Sequence, residues 1–247
     1  MMNKKMMFGA ALAVAGLGAS AHAGTVVIDG LGGPVYMQST SIPGVFGAGT
    51  PTFTNAALNL VHDNLHADGI TTDGLVTFIL ADTDNGLTWM TLVDDITIGS
   101  GAANIDSSLG MTSTAPDTGV DFINDVNSDI TQSFLPGNGT QVAAGTFNWD
   151  DQKYGDAFAW ANLMEGDFVS FNFNRYQNTT PGLNADDTFQ FVTWNGSSWE
   201  VVTTGEFTNN NQFAYSFTVV PLPAPALIGL AGLSGLGILR RRALRKA

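Results

Sequence analysis

Two histidines stand four residues apart in His62-Asp63-Asn64-Leu65-His66. Residues i and i+4 share one face of a helix, so the two imidazoles could ligate one zinc ion. In zinc proteases of this spacing a glutamate follows the first histidine and activates water. Here that position holds Asp63, which is one methylene shorter, and no third ligand follows downstream. Polar surface residues are therefore the alternative interpretation of this pair.

Oxygen-bearing side chains alternate at Asp125, Asn127 and Asp129. This spacing matches the first three ligands of a calcium loop, since hard cations bind several such oxygens around one centre. The glycine expected next is Ile130, and the distal acid is missing. The sequence therefore indicates a weak Ca²⁺ site here at most, and it predicts no other cofactor.

Two tryptophans, Trp194 and Trp199, flank Asn195-Gly196-Ser197-Ser198, which reads as a hairpin turn. An exposed pair of this kind could form a platform on which sugar rings stack. The alternative is a cross-strand aromatic pair that closes the hairpin. The alternative is favoured because one face of every strand has to be buried.

Recognisable catalytic motifs are missing from the chain. It has no cysteine nucleophile, no Gly-x-Ser-x-Gly elbow and no phosphate-binding loop. The sequence therefore predicts a protein that is not an enzyme. A glycosidase, which requires only two carboxylates, stays open as an alternative because acidic residues are abundant.

The elements that position these residues read as short strands. A continuous apolar run covers residues 75–81, and Asn85-Gly86 predicts a hairpin to a return strand at 87–98. Strands are also predicted at 168–175, with Val169, Phe171 and Phe173 on one face, and at 188–194 and 199–203. A short helix is predicted at 56–65.

The cleanest alternation in the chain lies at residues 212–219. It places Phe213, Tyr215, Phe217 and Val219 on one face of a strand. Together these signals predict an all-β fold, a single jelly-roll-like β-sandwich of roughly eight to ten strands over residues 24–219.

This predicted domain is strongly acidic. All 22 acidic residues of the chain fall within it, against only two basic ones, Lys153 and Arg175, so its formal charge is −20. A field of that sign repels phosphate backbones, which argues against nucleic acid as a partner. Most of the acids are aspartates, which favour turns over helices, and the absence of cysteine leaves stability to core packing.

The first 23 residues have the features of a signal peptide. Lys4 and Lys5 precede an apolar run at 6–18, and Ala21 and Ala23 supply the small side chains that signal peptidase recognises. The apolar run is shorter than the about 20 residues of a membrane span. We therefore expect cleavage before Gly24 and export across the inner membrane.

The last 28 residues predict a second signal. An exposed prolyl peptide begins it, formed by Val220, Pro221, Leu222, Pro223 and Ala224. An apolar transmembrane helix is predicted at 225–239. A basic stop follows at 240–246, which the positive-inside rule keeps cytoplasmic, and it consists of Arg240, Arg241, Arg242, Arg245 and Lys246.

Residues 220–247 resemble the PEP-CTERM sorting tail in its VPLPA variant, although Leu222 stands where that family usually carries glutamate. The resemblance implies a Gram-negative host, recognition of residues 220–224 by an exosortase, and delivery to the cell surface or extracellular matrix. It implies nothing about what residues 24–219 bind.

The sequence as a whole predicts an exported structural or adhesive surface protein. Its expected partners are signal peptidase, an exosortase, the inner membrane in passing and an exopolysaccharide. A carbohydrate-binding module is the first alternative, and a secreted hydrolase is the second.

Overall fold

The computed structural model describes residues 24–45, 52–94, 107–126, 129–135, 137–149, 155–174, 183, 188–207 and 213–221. These residues form fifteen strands and one helix. The helix is α1, Asn55–Ala67. The strands are β1 Thr25–Asp29, β2 Val35–Gln38, β3 Thr40–Ser41, β4 Thr52–Phe53, β5 Val76–Thr83, β6 Gly86–Val93, β7 Ser107–Pro116, β8 Asp121–Asp125, β9 Ile130–Leu135, β10 Thr140–Trp149, β11 Asp156–Leu163, β12 Phe168–Asn174, β13 Phe189–Trp194, β14 Trp199–Gly205 and β15 Phe213–Val220.

The strands form two sheets. Sheet A has seven strands in the order β2-β1-β15-β12-β7-β10-β9, and every neighbouring pair is antiparallel. Sheet B has eight, with β14-β13-β5-β6-β11-β8-β4 in line and β3 beside β5. Its β13 and β5 are parallel neighbours although Thr83 and Phe189 are far apart in the chain. The fold is therefore all-β with two sheets, as the sequence predicts.

The main core lies between the sheets and is largely aromatic. Trp89 of sheet B stacks on Phe217 of sheet A with ring centroids 4.4 Å apart, and Phe78 meets Tyr215 edge-on at 5.0 Å. Aromatic pairs in these geometries add to the free energy gained by burying apolar area. Interlocking rings thus hold the two sheets together.

A second core lies on the opposite face of sheet B, beneath α1. The helix buries Leu58, Val61 and Leu65 against the sheet, where Ile79 and Met90 lie among the residues of the same cluster. Thr54 caps the helix, because its side-chain oxygen accepts a hydrogen bond from the N–H of Ala57 at 3.2 Å. Sheet B is consequently covered on both faces.

Most predicted elements agree closely with this structure, although the return strand predicted at 87–98 ends at Val93 and residues 95–98 lie outside the described residues. The hairpin between β5 and β6 turns through Gly86, whose φ of 79° lies in the left-handed region that glycine tolerates. In β12, Val169, Phe171 and Phe173 are buried as expected, and in β15 Tyr215, Phe217 and Val219 are buried while Phe213 is half-buried. The strand number exceeds the expected eight to ten, because several short strands carry no pattern of their own.

Candidate functional site

A chain of polar side chains lies buried between α1 and sheet B. His62 Nδ1 lies 2.9 Å from Thr72 Oγ1, and Thr72 Oγ1 donates to Asp94 Oδ2 at 2.8 Å. His62 is 6% exposed, Thr72 0% and Asp94 1%. Polar groups this deep are costly unless they are hydrogen-bonded, and here they bond one another.

The hydrogen bonds determine which nitrogen of His62 carries its proton. Thr72 donates its only hydroxyl proton to Asp94. It must therefore accept a hydrogen bond from His62, whose Nδ1–H is the donor. Burial lowers the pKa of His62 from 6.5 to about 4, reinforced by repulsion from His66, while Asp63 acts in the opposite direction. His62 is therefore neutral at physiological pH, with Nε2 free of a proton.

This geometry corrects one interpretation of the histidine pair. His62 is not a surface residue, whereas His66 is exposed, and the two ring centroids lie 6.0 Å apart. His66 Nε2 lies 3.4 Å from Thr72 Oγ1, so both imidazoles are directed at the same hydroxyl. The arrangement fastens α1 to the segment before β5 and to the end of β6.

A pair of buried carboxyl groups lies at the same end of sheet B. Asp125 at the end of β8 is 3% exposed, and Asp156 at the start of β11 is 1% exposed. Burial raises the pKa of Asp156 well above its usual range, and the charge of Asp125 and a hydrogen bond between the two side chains raise it further. Burial beside Asp125 therefore favours the protonated form of Asp156.

The remaining acceptor capacity of Asp156 is used by the backbone. Its Oδ2 accepts from the N–H of Asn148, and its Oδ1 from its own neighbour Ala157, both at 2.7 Å. Asn148 belongs to β10 of sheet A, so this carboxyl group connects the two sheets. Gly155 precedes it with φ +57°, and any Cβ there would collide with the carbonyl oxygen of Val93.

The calcium candidate falls partly on this pair. Asp125 bonds Asp156, Asp129 is half-buried, and Asn127 lies outside the described residues. Within the described part of the chain, no three His, Asp or Glu side chains come together in a way that could hold a metal ion. Calcium binding at Asp125, Asn127 and Asp129 stays a prediction.

The two tryptophans of the β13–β14 hairpin lie directly opposite each other in the register. Their rings meet edge-on, with centroids 5.8 Å apart and planes at 75°. Trp199 is 3% exposed and belongs to the core beneath α1, and Trp194 packs against the same core. The expectation of an exposed sugar platform is wrong at these residues, because Trp199 has no free ring face.

The two ends of the predicted domain meet in sheet A. β1 begins at Thr25 and β15 ends at Val220, and these two residues are register partners. Gly24 is fixed as well, since its N–H donates to Ser39 Oγ at 2.7 Å and its carbonyl accepts from the N–H of Ser39 at 3.0 Å. Pro221 follows β15 directly. In the sequence, the expected signal-peptidase site and the expected sorting motif therefore lie at or close to two residues that are side by side at one end of the domain.

The rest of both signals lies outside the described residues. This applies to residues 1–23 with Ala21 and Ala23, to Leu222, Pro223 and Ala224, and to the apolar helix and basic stop at 225–246. Across the described residues, no helix has the length and apolar character needed to traverse a bilayer. Comparisons with protein-family models, with curated proteins and with solved structures find no match.

Sequence reasoning missed the two buried polar groups, Thr72 and Asp94 beside His62, and Asp156 beside Asp125. The only sequence signal is that Asp94 directly follows the hairpin at 76–93 and Asp156 begins the apolar strand at 156–163. Aspartate at a strand end usually marks a solvated turn. Burial here results from long-range packing, since the end of β6 lies against α1 and the start of β11 lies against β10 of sheet A, and no local pattern reveals either contact.

Proposed function

We propose that this chain is an exported structural or adhesive protein of a Gram-negative cell surface or matrix, processed at both ends. In this proposal signal peptidase cuts after Ala23, an exosortase acts at Val220 to Ala224, and the transmembrane tail is left in the inner membrane. A jelly-roll-like sandwich then stands outside the cell.

One observation carries the proposal: Thr25 and Val220 are paired in the interior of sheet A, between β2 and β12. A strand in that position is held by hydrogen bonds to two neighbours, so neither end of the domain can be drawn into a protease without opening the sheet. Cuts at 23 and within 221–224 would therefore trim the chain at the limits of the folded unit. Pro221 cannot donate a ladder hydrogen bond, which suits it to end the strand.

The acidic composition supports an extracellular role. The formal charge of −20 keeps copies of the domain apart and soluble, and a domain without cysteine is indifferent to an oxidising compartment. No observation on the described residues favours the hydrolase alternative. The two carboxyl groups of the buried pair, Asp125 and Asp156, are only 3% and 1% exposed, which does not suit contact with a polymeric substrate.

Mass spectrometry of the exported protein tests both cuts. We expect an N-terminus at Gly24 and a C-terminus within 221–224 in the parent strain, and retention of the tail when the host's exosortase gene is deleted. A double variant, Pro221→Ala with Pro223→Ala, should also retain the tail. The matched control is Pro225→Ala, which leaves the five-residue motif intact. Unchanged size and location without the exosortase would contradict the proposal.

A further inference from the structure

No element of the described residues packs on the outer face of sheet A, which carries a ladder of small polar side chains. Ser216, Ser170 and Thr114 stand side by side on β15, β12 and β7, and each is half-buried. Asp29 of β1 extends this row. With neighbouring strands about 4.8 Å apart, the row spans about 14 Å.

A second row lies beside the first. Asn172 of β12 is flanked by Ala214 on β15 and Thr112 on β7. The Oδ1 atom of Asn172 is buried and has no hydrogen-bond partner within the described residues, so a ligand would reach this carboxamide only after it turns. A turn of this carboxamide toward a ligand hydroxyl would therefore break no existing bond of that oxygen.

The two rows form the floor of a groove of about 610 Å³. Phe168 stands at its border and is 54% exposed. On the other side of this ring and of Thr114 lies a second cleft of about 320 Å³, lined also by Thr140 and Asp167. Phe168 and Thr114 line both clefts, so the two clefts adjoin at these residues and are together called the path below.

The chemistry of this path selects its ligand. Its polar side chains are hydroxyls, one carboxamide and the carboxylates of Asp29 and Asp167, and Phe168 is its exposed aromatic ring. Among the described residues, no lysine or arginine lines either cleft, so the polar side chains there offer no cationic partner for an anionic ligand. A ligand rich in hydroxyl donors, without charge and with an apolar ring face for Phe168, meets these features.

The negative charge of the domain argues against three other ligands for this face. A second copy of this domain would bring another formal charge of −20 to the same face, and an anionic polysaccharide or nucleic acid would be repelled in the same way. A neutral polysaccharide experiences no such repulsion. Its repeating rings also suit a path longer than one pocket.

We propose that the outer face of sheet A binds a neutral polysaccharide, with Phe168 stacked on one sugar ring and the Ser216–Ser170–Thr114 row and Asn172 bonding the neighbouring hydroxyls. This site is distinct from the tryptophan pair of sheet B. The inference specifies the ligand class of the proposed surface protein. It rests on the proposed function only for the place, outside the cell, where the domain would meet the polysaccharide.

Affinity electrophoresis of the purified full-length chain in a detergent without a sugar headgroup tests the site. The probes are soluble β-glucan, xyloglucan and galactomannan, with alginate as the anionic counterpart. We expect at least one neutral probe to retard the protein and Phe168→Ala to weaken that binding about tenfold or more. Phe168→Trp, which keeps a stacking face, should preserve it.

The matched control is Phe134→Ala. Phe134 is an equally exposed phenylalanine, at 61%, on β9 of the same sheet, and it lines neither cleft. Its removal should leave binding unchanged. Equal denaturation midpoints for the two alanine variants will show that both are folded.

Three results would overturn the site: no retardation by any neutral probe, binding of alginate alone, or equal losses in Phe168→Ala and Phe134→Ala. These results are independent of export, because binding is measured on purified protein. A chain that binds but is not trimmed would contradict the sorting proposal alone. A chain that is trimmed but does not bind would contradict this inference alone.

Discussion

Sheet A and sheet B differ in how many of their faces are buried. Sheet A buries one face against the aromatic core and has no other described element on its outer face, whereas sheet B has the aromatic core on one face and α1 on the other. In β15 burial alternates along the strand, but in β5 residues 76–81 are all buried. A sandwich built this way has one sheet dedicated to stability and another with a face available for binding.

The largest expected effect is in sheet A, between two neighbours on β15. Phe217 is fully buried and stacks on Trp89, so Phe217→Ala should cost about 3 to 5 kcal/mol in unfolding free energy. Ser216 faces the open side, and Ser216→Ala should be nearly silent. Urea midpoints measure both. Equal midpoints would show that β15 does not bury one face and expose the other.

The sequence predicted this contrast in two strands whose own residue patterns reveal it. The alternation of apolar and polar residues at 212–219 indicated a strand with one solvent-exposed face. The continuous apolar run at 75–81 indicated a strand buried on both faces. The helix at 56–65 was also expected, and in the structure it supplies the second cover of sheet B.

Pairing and buried polarity could not be predicted in the same way. The parallel contact of β5 with β13 joins Phe78 to Phe191, and nothing near either residue specifies the other. The hydrogen bond between Asp125 and Asp156 depends on the same long-range order. Trp199 was a candidate for exposure because the sequence does not show that α1 covers its side of the sheet.

Sheet B provides the second test, because two adjacent residues of β5 should both matter. Leu80 faces the aromatic core, Ile79 faces the core beneath α1, and both are fully buried. Leu80→Ala and Ile79→Ala should each cost about 2 to 5 kcal/mol. A silent Ile79→Ala in urea denaturation would mean that α1 does not seal the outer face of sheet B.

The third test concerns the polar chain that fastens α1 to sheet B. Since the pKa of His62 is lowered from 6.5 to about 4 in the folded chain, the unfolded chain binds its proton more readily. The contribution of neutral His62 is present above pH 6.5 and is lost as pH falls toward 4. The shift corresponds to about 3 kcal/mol.

Unfolding free energy measured between pH 7 and pH 4 checks this expectation. His62→Gln keeps a donor for Thr72 but cannot titrate, so its pH slope should be flatter than that of the parent protein. Asp156 acts in the opposite direction, because folding raises its pKa and its contribution to the stability of the protein therefore falls as pH rises. This contribution is the same in the parent protein and in the variant. The control His66→Gln should retain most of the slope. Identical slopes for His62→Gln and the parent would contradict burial of a neutral His62.

The smallest expected effect comes from calcium and depends on where the acids lie. The outer face of sheet A carries little charge, whereas exposed carboxylates such as Asp84, Asp117 and Asp121 lie at turns and strand starts around both sheets. Neutralising them should relieve self-repulsion even without a dedicated cage. At constant ionic strength, millimolar Ca²⁺ should stabilise the domain by about 0.5 kcal/mol, or roughly 1 to 2 °C in a domain of this size. Asp129→Asn separates the two origins, because it would abolish a specific effect at Asp125, Asn127 and Asp129 but leave a diffuse one nearly intact. A melting temperature unmoved by Ca²⁺ in the parent protein would remove both.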